Sequence, residues 1–189
     1  MKLKLMLIIA MGLLSCNLLA ADEEPTAFQL MKEGNRYIGE QAKDQVIEAH
    51  SDKSVGTLKP KVWYVTYFDP TASLKSVEVK FAAGKMVDVK RPFRLLEMAS
   101  GNKVLPADKL KVDSDKAIEI ALKEPILENI KVKSVQAKLE GSNTVPVWKI
   151  KMWAAKLEHP NTTVNIGEFT VTADDGKVIQ TDVHIDRVD

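Results

Sequence analysis

The sequence predicts an α+β fold made of two tandem units, each a helix lying on an antiparallel sheet. Three observations predict it. First, a Trp-led alternating segment occurs twice, as Trp63-Tyr64-Val65-Thr66-Tyr67-Phe68 and Trp148-Lys149-Ile150-Lys151-Met152-Trp153, each after a proline, Pro60 or Pro146. Second, each is followed by another alternating segment that runs into a Gly-Lys turn: Val77 to Phe81 before Gly84-Lys85, and Phe169 to Thr172 before Gly176-Lys177. Alternation of period two marks half-buried strands. Third, each Trp segment is preceded by a strand candidate and, before that, by an apolar stripe at helical spacing.

The elements follow in order. Lys2 and Lys4 precede an apolar run from Leu5 to Leu14, with small residues at Ser15 and Ala20, so residues 1–20 read as a secretory signal. Two cleavage readings stay open. Leu18 and Ala20 suit ordinary signal peptidase, whereas Leu13-Leu14-Ser15-Cys16 has the form of a bacterial lipobox that would lipidate Cys16. The first unit spans residues 26–92. Thr26 can cap its helix, Phe28, Leu30, Met31, Tyr37 and Ile38 form the stripe, and Gly34 and Gly39 weaken its C-terminal part. A strand candidate at 45–51 follows. Residues 93–112 form a connector with an apolar start at Phe93 and a turn at Gly101-Asn102. In the second unit, residues 113–189, Asp113 or Ser114 caps a helix striped by Ala117, Ile118, Ala121 and Leu122, and Pro125 ends it.

The segments Asp115 to Lys123, Val147 to Ile150 and Phe169 to Ile179 resemble a PepSY domain, whose pattern is an Ala-rich helix, an aromatic-X-Val strand and a closing strand ending in an Asp-X-X-Gly-Lys/Glu-Val turn. The first unit resembles that pattern in degenerate form, because its helix lacks the Ala spacing. The resemblance implies a cystatin-like fold, an exported bacterial setting and a role in restraining peptidases, and it carries no catalytic residues.

Composition sets the remaining limits. The chain has 189 residues, 45% of them hydrophobic and 28% charged, enough for a core and too short for a modular enzyme. Loss of Lys2 and Lys4 with the leader takes 27 basic residues to 25 against 26 acidic, a balance unsuited to neutralising nucleic-acid phosphates. Cys16 is the single cysteine, so no internal disulfide or thiolate metal site is expected.

Candidate functional residues follow from strand parity. Trp63 and Trp148 fall on the apolar side of their strands and read as core. Tyr64, Phe68 and Trp153 fall on the other side, where either the second unit or the connector covers them or they form a partner surface. Asp182, His184 and Asp186 alternate on the last segment, but strand spacing splays them too widely for tight metal coordination, so a solvated face is the expectation. Asp174-Asp175-Gly176-Lys177 lacks the ligand spacing of a calcium loop and reads as a turn. No catalytic residue, metal or cofactor is expected. The function expected is non-enzymatic binding of an envelope or secreted protein or peptide, a peptidase among the candidates, through strand addition at a sheet edge. Nucleic acid is not expected as a partner, and the membrane enters only through a lipid at Cys16. The alternative is a carrier of a small apolar ligand, with a pocket lined by Tyr37, Trp63, Trp148 and Phe169.

Overall fold

The computed structural model describes residues 24–91, 103–142 and 145–189. The expected signal segment with Cys16, and the start of the connector from Phe93 to Asn102, lie outside the described residues. Within them, helix α1 (Ala27–Gly34) precedes strands β1 (Val46–Ser51), β2 (Val62–Phe68), β3 (Ser76–Ala82) and β4 (Lys85–Lys90). Helix α2 (Ser114–Leu122) precedes β5 (Val132–Glu140), β6 (Val147–Ala155), β7 (Thr163–Thr172) and β8 (Val178–Val183). Within β1–β4 and within β5–β8, consecutive strands pair as antiparallel hairpins, and the β3-β4 and β7-β8 turns contain Gly84 and Gly176, whose φ values of 74° and 75° cost a Cβ-bearing residue strain.

The expected pair of tandem helix-on-sheet units is overturned. The strands form one eight-stranded antiparallel sheet in the order β4-β3-β2-β1-β5-β6-β7-β8, and two short helices accompany it. The physical reason lies at β1 and β5. Each is the outer strand of its own meander, and an outer strand leaves a row of unpaired N–H and C=O groups. Those two rows satisfy each other.

The joining ladder is brief, pairing Glu48 with Glu140, Ala49 with Leu139 and His50 with Lys138. Beyond it, hydroxyls take the place of backbone carbonyls. Ser51 Oγ accepts from the Ala137 N–H at 3.0 Å, Ser54 Oγ accepts from the Val135 N–H at 2.9 Å, and Ser54 N–H donates to Val135 O at 2.8 Å. At the other end of β1 the Leu105 N–H donates to Val46 O at 2.7 Å. Buried backbone groups therefore stay paired where the strands diverge.

The helices are tied together by their first turns. Thr26 and Gln29 form a capping box on α1, and Asp113 caps α2. The side chains that begin α2 also serve α1: the Ala27 N–H donates to Ser114 Oγ at 3.0 Å and the Phe28 N–H to Asp113 Oδ1 at 3.1 Å. One carboxylate thus accepts from both helices, since the Ser114 N–H donates to the same Asp113 oxygen at 2.6 Å. Negative charge at this point also favours both helix dipoles.

Beneath the helices lies a single core. Trp63 and Trp148 meet edge to face with ring centroids 6.3 Å apart, and their indole N–H groups donate to Pro60 O and Val112 O. Val65, Val79, Phe81, Leu139, Ile150, Met152, Phe169 and Val171 are fully buried around them. The apolar stripe continues to Ile38, but the helix stops at Gly34, one of the two glycines expected to weaken it, with a 3-10 turn at Asn35–Tyr37. Tyr67 fixes that end. Its hydroxyl donates to Met31 O at 2.6 Å, and a Cβ at Gly34 would stand 2.0 Å from the phenolic oxygen. Burial pushes the Tyr67 phenol well above its ordinary pKa.

Two expected outcomes follow. Gly34→Ala should lower stability by about 2–3 kcal/mol, because the methyl must displace a buried ring in a packed core, as read by urea denaturation. Ser51→Ala and Ser54→Ala should each cost about 1–3 kcal/mol by orphaning a buried N–H, and hydrogen exchange should accelerate at the Ala137 and Val135 amides respectively.

Candidate functional site

The two faces of the sheet differ in chemistry. On the face away from the helices, alternation puts Glu48, His50, Tyr64, Gln136, Lys138, Glu140, Lys149, Lys151 and Glu168 side by side. Glu48 and Glu140 stand directly opposite across the β1-β5 junction, a repulsive placement for two carboxylates. Lys138 lies between them, its Nζ 3.4 Å from Glu48 and 2.9 Å from Glu140, and Lys149 Nζ approaches Glu140 at 2.6 Å. Burial alone would raise the Glu140 pKa, but hydrogen bonds from Lys149 and Lys138 outweigh it and hold the carboxyl below its usual range. Burial likewise opposes the charge on Lys138, and the two carboxylates outweigh it and raise its pKa. Glu48, Lys138, Glu140 and Lys149 thus pair with one another, and the shallow groove on this face is about 250 Å³.

The three residues expected as a partner surface lie on this open face. Tyr64 is stacked on His50 with centroids 4.8 Å apart, has Lys80 Nζ 4.9 Å above its ring, and donates to Asp52 at 3.3 Å. Trp153 carries Lys53 Nζ 4.6 Å from its ring, a cation-π contact, and Phe68 is half-buried at the end of β2. Both units lie in one sheet, so the second sits beside these aromatics and does not cover them.

The other face holds a different kind of site. Between the start of α1, the β1-β2 loop and α2 lies a cleft of about 350 Å³. Pro25, Leu58, Pro60, Trp63, Ile118 and Leu122 give it an apolar lining, while Glu24, Gln29, Lys59, Ser114, Asp115 and Glu119 form its polar rim. Hydrogen bonds from Lys116 and Lys123 pull the Glu119 pKa down to about 2, so that rim carboxylate is ionised at neutral pH. Lys61 approaches Glu24 at 3.5 Å. Of the four residues expected to line a ligand pocket, Trp63 alone lines the cleft. Trp148 and Phe169 are fully buried in the core, and Tyr37 packs edge-on against Phe81 at 6.3 Å. Pro25, Leu58 and Asp115 carry no motif, and only folding brings them to one place.

The remaining candidates separate. Strand β8 ends at Val183, so Asp182 lies on it, His184 follows it and Asp186 belongs to a terminal 3-10 turn. His184 Nε2 lies 3.1 Å from Asp182 Oδ1. Among the described residues no group of three His, Cys, Asp or Glu side chains is placed to hold a metal ion. Asp174 pairs with Lys111 and Lys109, and Asp175 accepts from the Thr172 hydroxyl and from the Lys177 N–H, which makes the Asp-Asp-Gly-Lys run a turn. No described helix is long and apolar enough to cross a membrane.

No protein-family model, no curated protein and no solved structure matches this chain.

The charge lattice gives a pH expectation. A Glu140 pKa lowered by folding contributes stability that is complete above the ordinary carboxylate value and is lost as pH falls through the lower folded value. Denaturation midpoints should therefore fall on acidification below about pH 4, the ordinary glutamate pKa, and Glu140→Gln should flatten that slope.

Proposed function

We propose that this chain is an exported, non-enzymatic binding protein that holds an extended segment of another protein, or a peptide, in the cleft over Trp63. The cleft carries the reading. It joins a continuous apolar floor to a ring of charged and amide groups, the combination that buries a side chain while the rim orients the chain around it. Trp63 is anchored by its hydrogen bond to Pro60, so the floor is rigid before a partner arrives and little ordering entropy is lost on capture. All three histidines lie outside the cleft lining. The resemblance of the second half to PepSY domains supports a partner among envelope or secreted proteins, peptidases included.

Strand addition remains a separate mode at the margins. Strand β4 exposes Met86, Val87 and Val89 together with Lys85 and Lys90, and β8 exposes Ile179 and Asp182. Lysines on an outer strand oppose indiscriminate pairing. The second functional reading is a carrier of a small apolar ligand, favoured by a cleft volume at the lower end of small-molecule sites.

Peptides selected from a random library on the purified protein test the first reading. Leu58→Ser and Leu122→Ser should weaken their binding about tenfold, as expected for lost apolar contact of roughly 1–2 kcal/mol, with the folded state retained by circular dichroism. Undiminished binding in both variants removes the cleft as the site. Capture of a small apolar dye with no peptide selected assigns the cleft to the carrier reading.

A further inference from the structure

At the centre of the sheet, equivalent residues of the two halves meet one another. Register against the Trp strands sets the equivalence. Ser51 stands opposite Trp63 as Leu139 stands opposite Trp148, and Ala49 stands opposite Val65 as Ala137 stands opposite Ile150. His50 is therefore the counterpart of Lys138, and these two face each other in the β1-β5 ladder. Trp63 and Trp148, also counterparts, are in ring contact. A residue that meets its own counterpart marks a pseudo-two-fold axis, and the flanking pairs obey it. Ala49 pairs with Leu139, while Ser51, the counterpart of Leu139, accepts from the N–H of Ala137, the counterpart of Ala49. The seam thus has the geometry of an isologous dimer contact, supplied by one chain.

The connector between the halves changes sides over a short stretch. The Leu105 N–H donates to Val46 O on β1, whereas the Lys111 and Val112 N–H groups donate to Ala173 O, just past β7. Between them, Pro106 to Leu110 is held by a local turn, in which the Lys109 N–H donates to Pro106 O and the Leu110 N–H to Ala107 O. Each helix stays with its own strands, α1 on β1 and β2 and α2 on β5, β6 and β7.

We propose that the seam also joins two copies of this chain. During folding, β1 of one copy pairs with β5 of a second and the reverse, giving a dimer with exchanged halves and two seams. Every group at the seam meets the same partner whichever copy supplies it, so monomer and dimer differ only in the path of residues 106–110. Protein concentration and that hinge then set the balance. The exchange alters the ownership of the cleft. Its Pro25 and Leu58 come from the first half and its Ile118 and Leu122 from the second, so each of the two clefts in the dimer is built from both copies.

The test uses the full chain carrying Cys16→Ser, His50→Cys and Lys138→Cys, which places the sole cysteine pair on the axis. Oxidation links a closed monomer within itself and an exchanged dimer between chains, and non-reducing electrophoresis separates the two by mass. The connector holds a chain's own β5 at an effective concentration on the order of 1 mM, so about a tenth of the soluble chains refolded at about 100 µM should exchange, against about a thousandth at about 1 µM. Light scattering of the unsubstituted chain should give the same dimer share, and the dimer should persist on dilution because reversal must open the seam. Deletion of Ala107–Lys109 shortens the hinge and should raise that share, whereas a Gly-Ser insertion after Asp108 should lower it. Monomer alone in the unsubstituted chain at the higher concentration overturns the proposal. So does a dimer whose cysteines close within each chain, which assigns the contact to the outer strands β4 or β8.

Discussion

The architecture depends on a junction of three residue pairs between β1 and β5. A four-stranded meander finishes with an outer strand on each side, and two such meanders in one chain leave four open edges. Pairing β1 with β5 removes two of them at once. The register that does so puts Ala49 and Leu139 on the covered side and the Glu48-Glu140 pair on the wet side, where Lys138 neutralises it. The β1-β5 ladder ends at His50. Ser51, Ser54 and Leu105 extend it with single hydrogen bonds, and the shared Asp113-Ser114 cap binds the helices above the same line.

Coverage explains why the two faces serve different ends. Helices of eight and nine residues are about 12–14 Å long at 1.5 Å per residue, whereas eight strands spaced about 4.8 Å apart span roughly 34 Å. The helices roof the middle of the sheet and leave the margins bare, which is why every residue of β4 but Asp88 is exposed. The face without helices survives contact with water by carrying Lys, Glu, Gln and His, and its aromatic residues Tyr64 and Trp153 lie under lysine ammonium groups. The cleft lies where the start of α1, the β1-β2 loop and α2 meet without filling the space between them.

Much of the local structure was legible from residue order. Alternation around Trp63 and Trp148 marked the central strands of each meander and assigned both indoles to the buried side, and Asp113 and Pro125 marked the start of α2 and the region beyond its end. The assembly of the halves was not legible. Period-two patterning states which face a side chain takes and is silent on which strand lies at its flank, so the same pattern fits two small sheets or one large one. Gly34 was legible as a weak point of α1, but the Tyr67 phenol lodged against it, more than thirty positions away, was not. The site was hidden for a related reason. Pro25, Leu58, Trp63 and Asp115 belong to four separate segments, and Asp115 reads in sequence as an ordinary first-turn acid.

The serine bridge at the junction also bears on how the chain is made. Ser51 reaches a partner 86 positions later, so the junction closes only after more than half of the polypeptide has been synthesised. Until then β1 is a naked edge on a nascent intermediate, open to pairing with any extended neighbour. A chain built this way closes its central seam later than its local hairpins, and the strand that waits is the one that every other part of the sheet is laid against.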